Sequence, residues 1–311
     1  MPPRCCVRSV VLLVLIGCKH ECEVTGAWVD GVELETSHSS QATWSGVATS
    51  SDVTCAWDPD QVWCWEDVTM EVQSDEVLVV TEMAISPAGS WAVALLDSGN
   101  LAWFDPARTD LGVNGTEQGP YKDLWAGSTY LCVVHDADDS AGCGETSSMD
   151  RTGPEGVAFV RAVGDDQGHF CGLGIDRAVS CWDETGGPID GGFADGRFAS
   201  IDGARGQICA VPIDVGVPVC FGEDATSAAA TPERSCGVPE GDFDVVSVGD
   251  KAVCALDAAG APTCWTGNLG LPAPEEAFAT LSMGPNHACG LHTDGTLGCF
   301  GARSTTMQYL P

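Results

Sequence analysis

Cysteine pairs recur along this chain of 311 residues at a nearly constant interval. The two members of a pair stand nine to eleven residues apart, and the first members follow one another at a period near forty residues. A period of that length is typical of stacked or radially repeated supersecondary units. Most pairs are followed at once by an aromatic residue. The pairs are Cys55 and Cys64, Cys132 and Cys143, Cys171 and Cys181, Cys209 and Cys220, Cys254 and Cys264, and Cys289 and Cys299.

The series has one gap, between Cys55 and Cys132. There Ala92 and Ala102 stand ten residues apart, at the positions expected of two cysteines. Loss of both members together is expected if the two cysteines of a unit bond to each other. The sequence therefore predicts seven units.

Acidic residues dominate the charge of the chain. Asp and Glu number 45 against 13 Lys and Arg, which gives a formal net charge of -32. Binding to nucleic acid depends on cationic side chains that displace counterions from phosphates, so a nucleic-acid partner is not expected. Docking on an anionic lipid surface through a basic patch is disfavoured for the same reason. A hydrophobic content of 44% with 10 Trp and 9 Phe indicates a chain that folds.

The N-terminus predicts export. Arg4 and Arg8 precede a short apolar run, and Leu15-Ile16-Gly17-Cys18 is similar to a bacterial lipobox. Seven apolar residues are too few for a membrane span, which needs about 20, although an ordinary secretory signal stays open as an alternative. We therefore divide the chain into a lipoprotein signal peptide (1–17), a lipidated lead-in segment beginning at Cys18 (18–40) and a repeat domain (41–311). The membrane contact is expected through the lipid only.

Export places the cysteines where disulfides persist. Of 17 cysteines, Cys5 and Cys6 leave with the signal and Cys18 carries the lipid. The six pairs use twelve of the remaining fourteen, so Cys22 and Cys236 are left as a candidate seventh bond. Zinc, the competing explanation, prefers closely spaced ligands in paired clusters, and no Cys-x-x-Cys motif follows the signal. We expect disulfides, with no metal and no cofactor.

The seventh unit shows the local structure most clearly. Cys289 and Leu291 lie on one side of a strand, and Leu297 and Cys299 do so on the next. The pairs 289/299 and 291/297 are both centred on Asp294. We therefore expect the two members of each pair to lie opposite each other in a hairpin that turns at Asp294. An Asp at this place suits a turn because its side chain accepts nearby backbone amides. The equivalent aspartates are Asp60, Asp97, Asp176 and Asp214.

An aromatic residue opens most units, and a Cys-aromatic pair closes most of them. The opening aromatics are Tyr121, Phe159, Phe198, Phe243 and Phe278. This arrangement resembles the repeat of the regulator of chromosome condensation group, over about residues 41–301. It is similar above all to the short-repeat bacterial members, one of which is a secreted β-lactamase inhibitor. The resemblance implies an all-β, seven-bladed β-propeller, and the repeat phase then places each of the six paired-cysteine disulfides within one blade. It also implies that His169 and His287, two residues before their cysteines, pack between blades.

No segment of the chain matches a catalytic motif, so no catalytic residue is assigned. His135 and His292 have no further metal ligands in register. Asp136–Ser140 has oxygen-bearing side chains at alternate positions, as a calcium loop does. Counted from Asp136, however, the twelfth residue is Ser147 where a calcium loop has Glu, and the sixth is Ala141 where it has Gly. We interpret this segment as the turn of the third unit. In so acidic a chain a glycosidase carboxylate pair cannot be chosen from sequence.

The remaining candidates for function are the polar connections between units, because loops on a rigid scaffold commonly carry binding residues. We expect the chain to be a monomeric outer-membrane lipoprotein of the bacterial envelope. Its expected role is that of a scaffold that binds a protein or glycan, rather than that of an enzyme. Two alternatives stay open: a propeller hydrolase or lyase acting on polysaccharide, and a structural envelope component without a discrete ligand.

Overall fold

The computed structural model describes residues 38–51, 53–59, 61–65, 69–72, 79–104, 115–117, 119–146, 153–189, 193, 196–222, 241–249, 252–265, 274–284 and 287–301. These residues form seven antiparallel sheets of three or four strands, which are the blades of a propeller. The fold class is the one that the sequence predicts. Among the described residues no helix is long and apolar enough to cross a membrane.

Each blade except blade seven is formed by one continuous segment of chain, and the first strand of that segment lies nearest the central channel. The strands of blades one to three are β2 (Gly46–Thr49), β3 (Thr54–Trp57), β4 (Val62–Trp65), β5 (Thr69–Val72); β6 (Val80–Ile85), β7 (Ala92–Leu96), β8 (Leu101–Phe104), β9 (Gly115–Glu117); and β10 (Tyr121–Ala126), β11 (Tyr130–His135), β12 (Ala141–Glu145).

The strands of blades four to seven follow the same order. They are β13 (Phe159–Gly164), β14 (His169–Gly174), β15 (Val179–Asp183), β16 (Pro188–Ile189); β17 (Phe198–Ala204), β18 (Gln207–Pro212), β19 (Val219–Gly222); β20 (Phe243–Val248), β21 (Val253–Asp257), β22 (Pro262–Trp265); and β23 (Thr280–Met283), β24 (His287–Leu291), β25 (Thr296–Gly301).

The ring is closed by the start of the described chain. Strand β1 (His38–Thr43) pairs antiparallel with β25 and forms the outer edge of blade seven. The chain then passes directly into β2, and the N–H of Trp44 donates to the carbonyl of Gly295. Blade seven is thus built from both ends of the described chain, and the pairing of these two ends closes the ring.

All six predicted disulfides form within blades. In each bond the two cysteines face each other across the second and third strands, with Cα–Cα distances of 4.0–4.1 Å. Every pair that the repeat spacing selected is therefore confirmed. The bonds join Cys55 to Cys64, Cys132 to Cys143, Cys171 to Cys181, Cys209 to Cys220, Cys254 to Cys264, and Cys289 to Cys299.

The predicted register of the seventh unit is also confirmed, since Cys289 lies opposite Cys299 and Leu291 lies opposite Leu297. Three further cysteine predictions fall on residues outside the described ranges, so the lipid anchor and the seventh bond stay predictions. These residues are Cys18, Cys22 and Cys236, and the turn residue Asp60 lies outside the described ranges as well.

The prediction that Ala92 and Ala102 occupy the cysteine positions of blade two is wrong. Ala92 lies opposite Phe104, and Ala102 lies opposite Ala94. The position of the disulfide is taken by Val93 and Trp103, which face each other as the cysteines do elsewhere. A slip of one residue moves a side chain to the other face of a strand, so spacing alone selected the wrong pair.

The turn of blade two sets this register. Gly99 follows Val93 by six residues, as Gly260 and Gly295 follow the first cysteines of their own blades. The turn glycine therefore marks the register position where the cysteines are missing. The count of seven units is unaffected.

A repeated backbone hydrogen bond joins neighbouring blades. In six junctions, the N–H of the residue that opens an inner strand or its approach donates to a turn carbonyl of the preceding blade, over 2.7–3.0 Å. The accepting residue always has a positive φ. The positive φ at the accepting position explains the turn glycines of the repeat. The donors and acceptors are Trp44 to Gly295, Tyr121 to Gly99, Phe159 to Asp139, Phe198 to Arg177, Phe243 to Gly216, and Phe278 to Gly260.

The ring of the opening aromatic fills a space left by glycines of the same blade. A Cβ atom at Gly172 would stand 2.4 Å from the ring of Phe159, and one at Gly290 would stand 2.6 Å from Phe278. Apolar side chains beyond these rings form clusters that lie mainly between adjacent blades. Because no blade buries both of its faces alone, the closed ring is the stable unit.

Candidate functional site

One face of the propeller carries both the turns between second and third strands and the starts of the inner strands. Antiparallel pairing places these two kinds of segment at the same end of each blade. We call this the turn face. The connections between blades also reach it, because each leads to the start of the next inner strand.

The exposed large hydrophobic residues of the described chain all lie on the turn face of two adjacent blades. Ile175 of blade four is 59% exposed, and Ile213 and Val215 of blade five are 51% and 65% exposed. Val160, near the start of β13, is 38% exposed. We call these four residues the apolar patch. Single exposed apolar residues are ordinary, whereas several exposed apolar residues on one face make that face a candidate interaction surface.

Backbone hydrogen bonds connect the parts of the apolar patch. The N–H of Ile175 donates to the carbonyl of Ala158, which precedes β13. The turn of blade four then reaches blade five, where Phe198 donates to Arg177. The N–H of Ile213 donates to Arg197 over 2.8 Å. The patch is therefore held by two turns and the segment between them.

Arg177 occupies an unusual conformation at the centre of this surface. Its φ of 69° lies in the left-handed region, where four of the six equivalent turn positions have glycine. A non-glycine residue in this region costs roughly 1–2 kcal/mol. Its guanidinium Nη1 donates to the carbonyl of Ala199 over 3.2 Å, which offsets part of that cost. The side chain thus links the turn of blade four to β17.

Carboxylates surround the apolar patch and extend around the turn face. Asp176 and Asp214 lie within the two patch turns, and the carboxylate of Asp242 lies against the α-carbon of Gly216. The described cations of this face are Lys122, Arg177 and Arg197, and Lys122 pairs with Asp139. The exposed acidic residues here are Asp97, Asp136, Asp138, Glu155, Asp176, Asp214, Asp242, Asp244, Glu275, Glu276 and Asp294.

A central channel with a volume of about 350 Å³ runs between the seven inner strands. Its main polar feature is Arg161 of blade four, whose side chain is 34% exposed. The guanidinium lies 3.4 Å from Glu82, 3.2 Å from Asp123 and 3.8 Å from Asp202. One cation therefore joins the carboxylates of blades two, three and five.

Three carboxylates around one guanidinium leave an excess of negative charge in a confined space. Desolvation by burial raises the pKa of Asp123 to about 8, opposed by Arg161 and assisted by Glu82. Desolvation also raises the pKa of Glu82 and of Asp202. A buried carboxyl that keeps its proton reduces the repulsion among the three carboxyls around Arg161.

Side-chain acceptors of the inner strands also bind backbone amides of the following blade. The shortest such bond joins Asp202 to the N–H of Val248 at 2.7 Å. These bonds satisfy amides on the channel edges of β2, β10, β13 and β20, where no further strand is available for pairing. The channel carboxylates are thus engaged in holding the ring together. The other acceptors and amides are Glu82 with Leu124, Asp123 with Ala162, Ser200 with Val246, and Ser282 with Thr49.

The two repeat histidines pack between blades, as expected. The Nε2 atom of buried His287 lies 3.1 Å from the Thr54 hydroxyl of blade one. The ring of His169 packs edge-on against Phe221 of blade five at 5.9 Å. Its Nδ1 atom lies 2.7 Å from a carboxylate oxygen of Asp165, a buried residue that also accepts the His169 amide. This pair braces the tight turn before β14.

His135 and His292 also have packing roles. The His135 ring lies 5.0 Å from Tyr121, and His292 stacks on Phe278 at 4.5 Å while its Nδ1 atom lies 2.8 Å from the Ala277 carbonyl oxygen.

The segment considered as a calcium loop, Asp136–Ser140, lies at the turn after β11, where the Ser140 amide and hydroxyl donate to Asp138. Within the part of the chain that the structure describes, no group of three or more His, Cys, Asp or Glu residues is arranged to hold a metal ion. The segment has the role of a hairpin turn.

Known structures of similar shape are β-propellers. The CRINKLY WD40 ectodomain of the receptor kinase ACR4 from Arabidopsis thaliana aligns with a TM-score of 0.62 at 18% identity, covering 84% of this chain and 96% of that one. The ectodomain of the receptor kinase CR4 from Physcomitrella patens gives 0.60 at 19% identity, covering 82% and 72%. The β-propeller domain of Cps50 (Swd1) from Myceliophteria thermophila gives 0.59 at 11% identity, covering 86% and 99%. No protein-family model matches the chain.

These likenesses agree with the β-propeller fold, whose seven blades are given by the seven sheets of this chain, and they identify no family. The apolar patch and the Arg161 cluster were both missed by sequence reasoning. Ile175 and Ile213 do stand next to the turn aspartates Asp176 and Asp214, so apolar residues at turn positions were a usable signal. Nothing in the sequence brings Arg161 near Glu82, which is 79 residues away.

Proposed function

We propose that this protein is a binding scaffold that holds a protein partner on the turn face of blades four and five. The observation that carries the proposal is the grouping of Ile175, Ile213 and Val215 on two adjacent turns. Removing such apolar side chains from water lowers the free energy, and a partner surface that covers them provides this burial. The central side chains are aliphatic, which favours a protein over a glycan as the partner.

The cellular setting of the proposal is the bacterial envelope, with a lipid on Cys18 as the anchor. Six disulfides are typical of a chain that folds in an oxidising, non-cytoplasmic compartment. The lipobox-like segment and the resemblance to short-repeat members of the regulator of chromosome condensation group are consistent with this setting.

The enzyme alternative has less support from the channel. Glu82, Asp123 and Asp202 do converge there, but each is bonded to a backbone amide and lies near Arg161. The tryptophans that line the channel, Trp57 and Trp125, are buried. A polysaccharide site would instead present accessible carboxylates beside exposed aromatic rings.

The test is crosslinking and affinity capture from envelope extracts with the full-length protein and with its I175S/I213S/V215S variant. A partner that is recovered with the wild-type chain and lost with the variant supports the proposal. The matched control is Ala258→Ser, an exposed turn residue of blade six, which should retain the partner. Equal recovery by all three proteins, or no specific recovery, would overturn it.

A further inference from the structure

We infer that the partner segment that docks on the apolar patch is cationic, with aliphatic side chains flanked by Lys or Arg. This inference rests on the proposed function and adds the chemistry of the partner. It combines the position of the patch with the charges around it.

The surroundings of the patch carry more negative than positive groups. Asp176 and Asp214 each stand between patch residues or beside them, and Asp242 lies against the turn of blade five. Asp244, at the start of β20, is also exposed. The opposing cations are Arg177, whose guanidinium donates to a backbone carbonyl, and Arg197.

The wider turn face strengthens this imbalance. Its eleven described exposed carboxylates face three described cations, one of which is already paired with Asp139. The full chain has a formal charge of -32, so an acidic partner would be repelled during its approach. A cationic segment is attracted to this face at a distance and placed on the patch by its apolar residues.

Charge alone would not select blades four and five, because carboxylates occur on the turns of other blades too. Ile175, Ile213 and Val215 are the feature that distinguishes this sector among the described residues. A basic peptide without apolar residues should therefore bind weakly and without a preferred position. An apolar peptide with acidic residues should be excluded.

The experiment uses the full-length protein and three fluorescent synthetic peptides: one of Lys and Leu, one of Lys and Ser, and one of Glu and Leu. Anisotropy should show that the Lys/Leu peptide binds at least ten-fold tighter than either of the others. The I175S/I213S/V215S variant should lose about ten-fold in affinity, and D214N/D242N should lose several-fold. The A258S variant should match the wild type. Added salt should slow association.

The outcomes separate the inference from the proposed function. Equal binding of the Lys/Leu peptide to the wild-type protein and the triple-serine variant would show charge attraction alone and would overturn the inference. Preference for the Glu/Leu peptide, or binding of none of the peptides, would also overturn it. If captured partners still depend on the patch in those cases, the proposed function stands and only the cationic chemistry is wrong.

Discussion

Phe278 donates its backbone N–H to the carbonyl of Gly260, 2.8 Å away across the boundary between blades six and seven. Gly260 has a φ of 80°, and five other junctions repeat this relationship. The bond ties the end of one blade's hairpin to the start of the next blade. Together with the packing between blades, this repeated bond connects the hairpin units into a ring.

Gly260→Ala should destabilise the propeller by about 2–3 kcal/mol in chemical denaturation. A left-handed alanine costs roughly 1–2 kcal/mol, and its Cβ would stand 2.4 Å from the carbonyl oxygen of Phe278. The control is Gly156→Ala, which has a φ of 74° but no atom within 4 Å of the added Cβ. An equal loss at both positions would show that the junction adds nothing beyond backbone strain.

Val93→Cys with Trp103→Cys should create a seventh within-blade disulfide in the oxidised protein. These residues face each other at the register position that the cysteines occupy in the other blades. The pair Ala92→Cys with Ala102→Cys is the matched control, since its members are not opposite each other. Mass mapping of non-reduced peptides should find the bond in the first variant only. A bond in the alanine-derived pair would contradict the register of β7 and β8.

Asp123 should make stability depend on pH. Burial raises its pKa to about 8, whereas an unfolded Asp titrates near 4. The folded chain therefore holds a proton that the unfolded chain releases in this window. The stability associated with that proton is complete below about pH 4 and is lost as pH rises toward 8.

Asp123→Asn should flatten this pH dependence between pH 5 and pH 8, because the amide is neutral throughout. Denaturation midpoints at several pH values measure the slope, with Asp214→Asn on the turn face as a control for lost charge. The slope for one proton is at most about 1.4 kcal/mol per pH unit. An unchanged slope in Asp123→Asn would assign the dependence to other groups.

Trp125→Phe should cost about 1–2 kcal/mol more than Trp182→Phe in the same denaturation assay. The indole N–H of Trp125 donates to the Gly203 carbonyl over 2.7 Å, so its loss leaves a buried acceptor without that bond. The indole nitrogen of Trp182 is buried without a hydrogen-bond partner among the described residues. Since both changes remove the same atoms, the difference reports the hydrogen bonding of the two indole N–H groups: it combines the bond lost at Trp125 with the removal at Trp182 of a buried donor that is unpaired within the described part of the chain. Equal costs would indicate that packing alone matters at Trp125.

Sequence reasoning was accurate where the contacts are local. The disulfides join residues nine to eleven apart, and the hairpin of blade seven follows from the spacing of Cys289 and Cys299. A tight hairpin leaves few ways to pair its strands, so spacing and alternation predict its contacts. The error at Ala92 arose where the cysteines that mark the register are missing.

The number of units, their hairpins and the six within-blade bonds can be predicted from short stretches of the amino-acid chain, because each depends on local contacts. The contacts between distant residues follow from the assembled ring instead. Closing the ring brings Arg161 to Glu82, Thr54 to His287, and the turns of Ile175 and Ile213 to one surface. These contacts depend on how the blades are oriented around the axis, and that orientation results from packing between blades rather than from any local pattern.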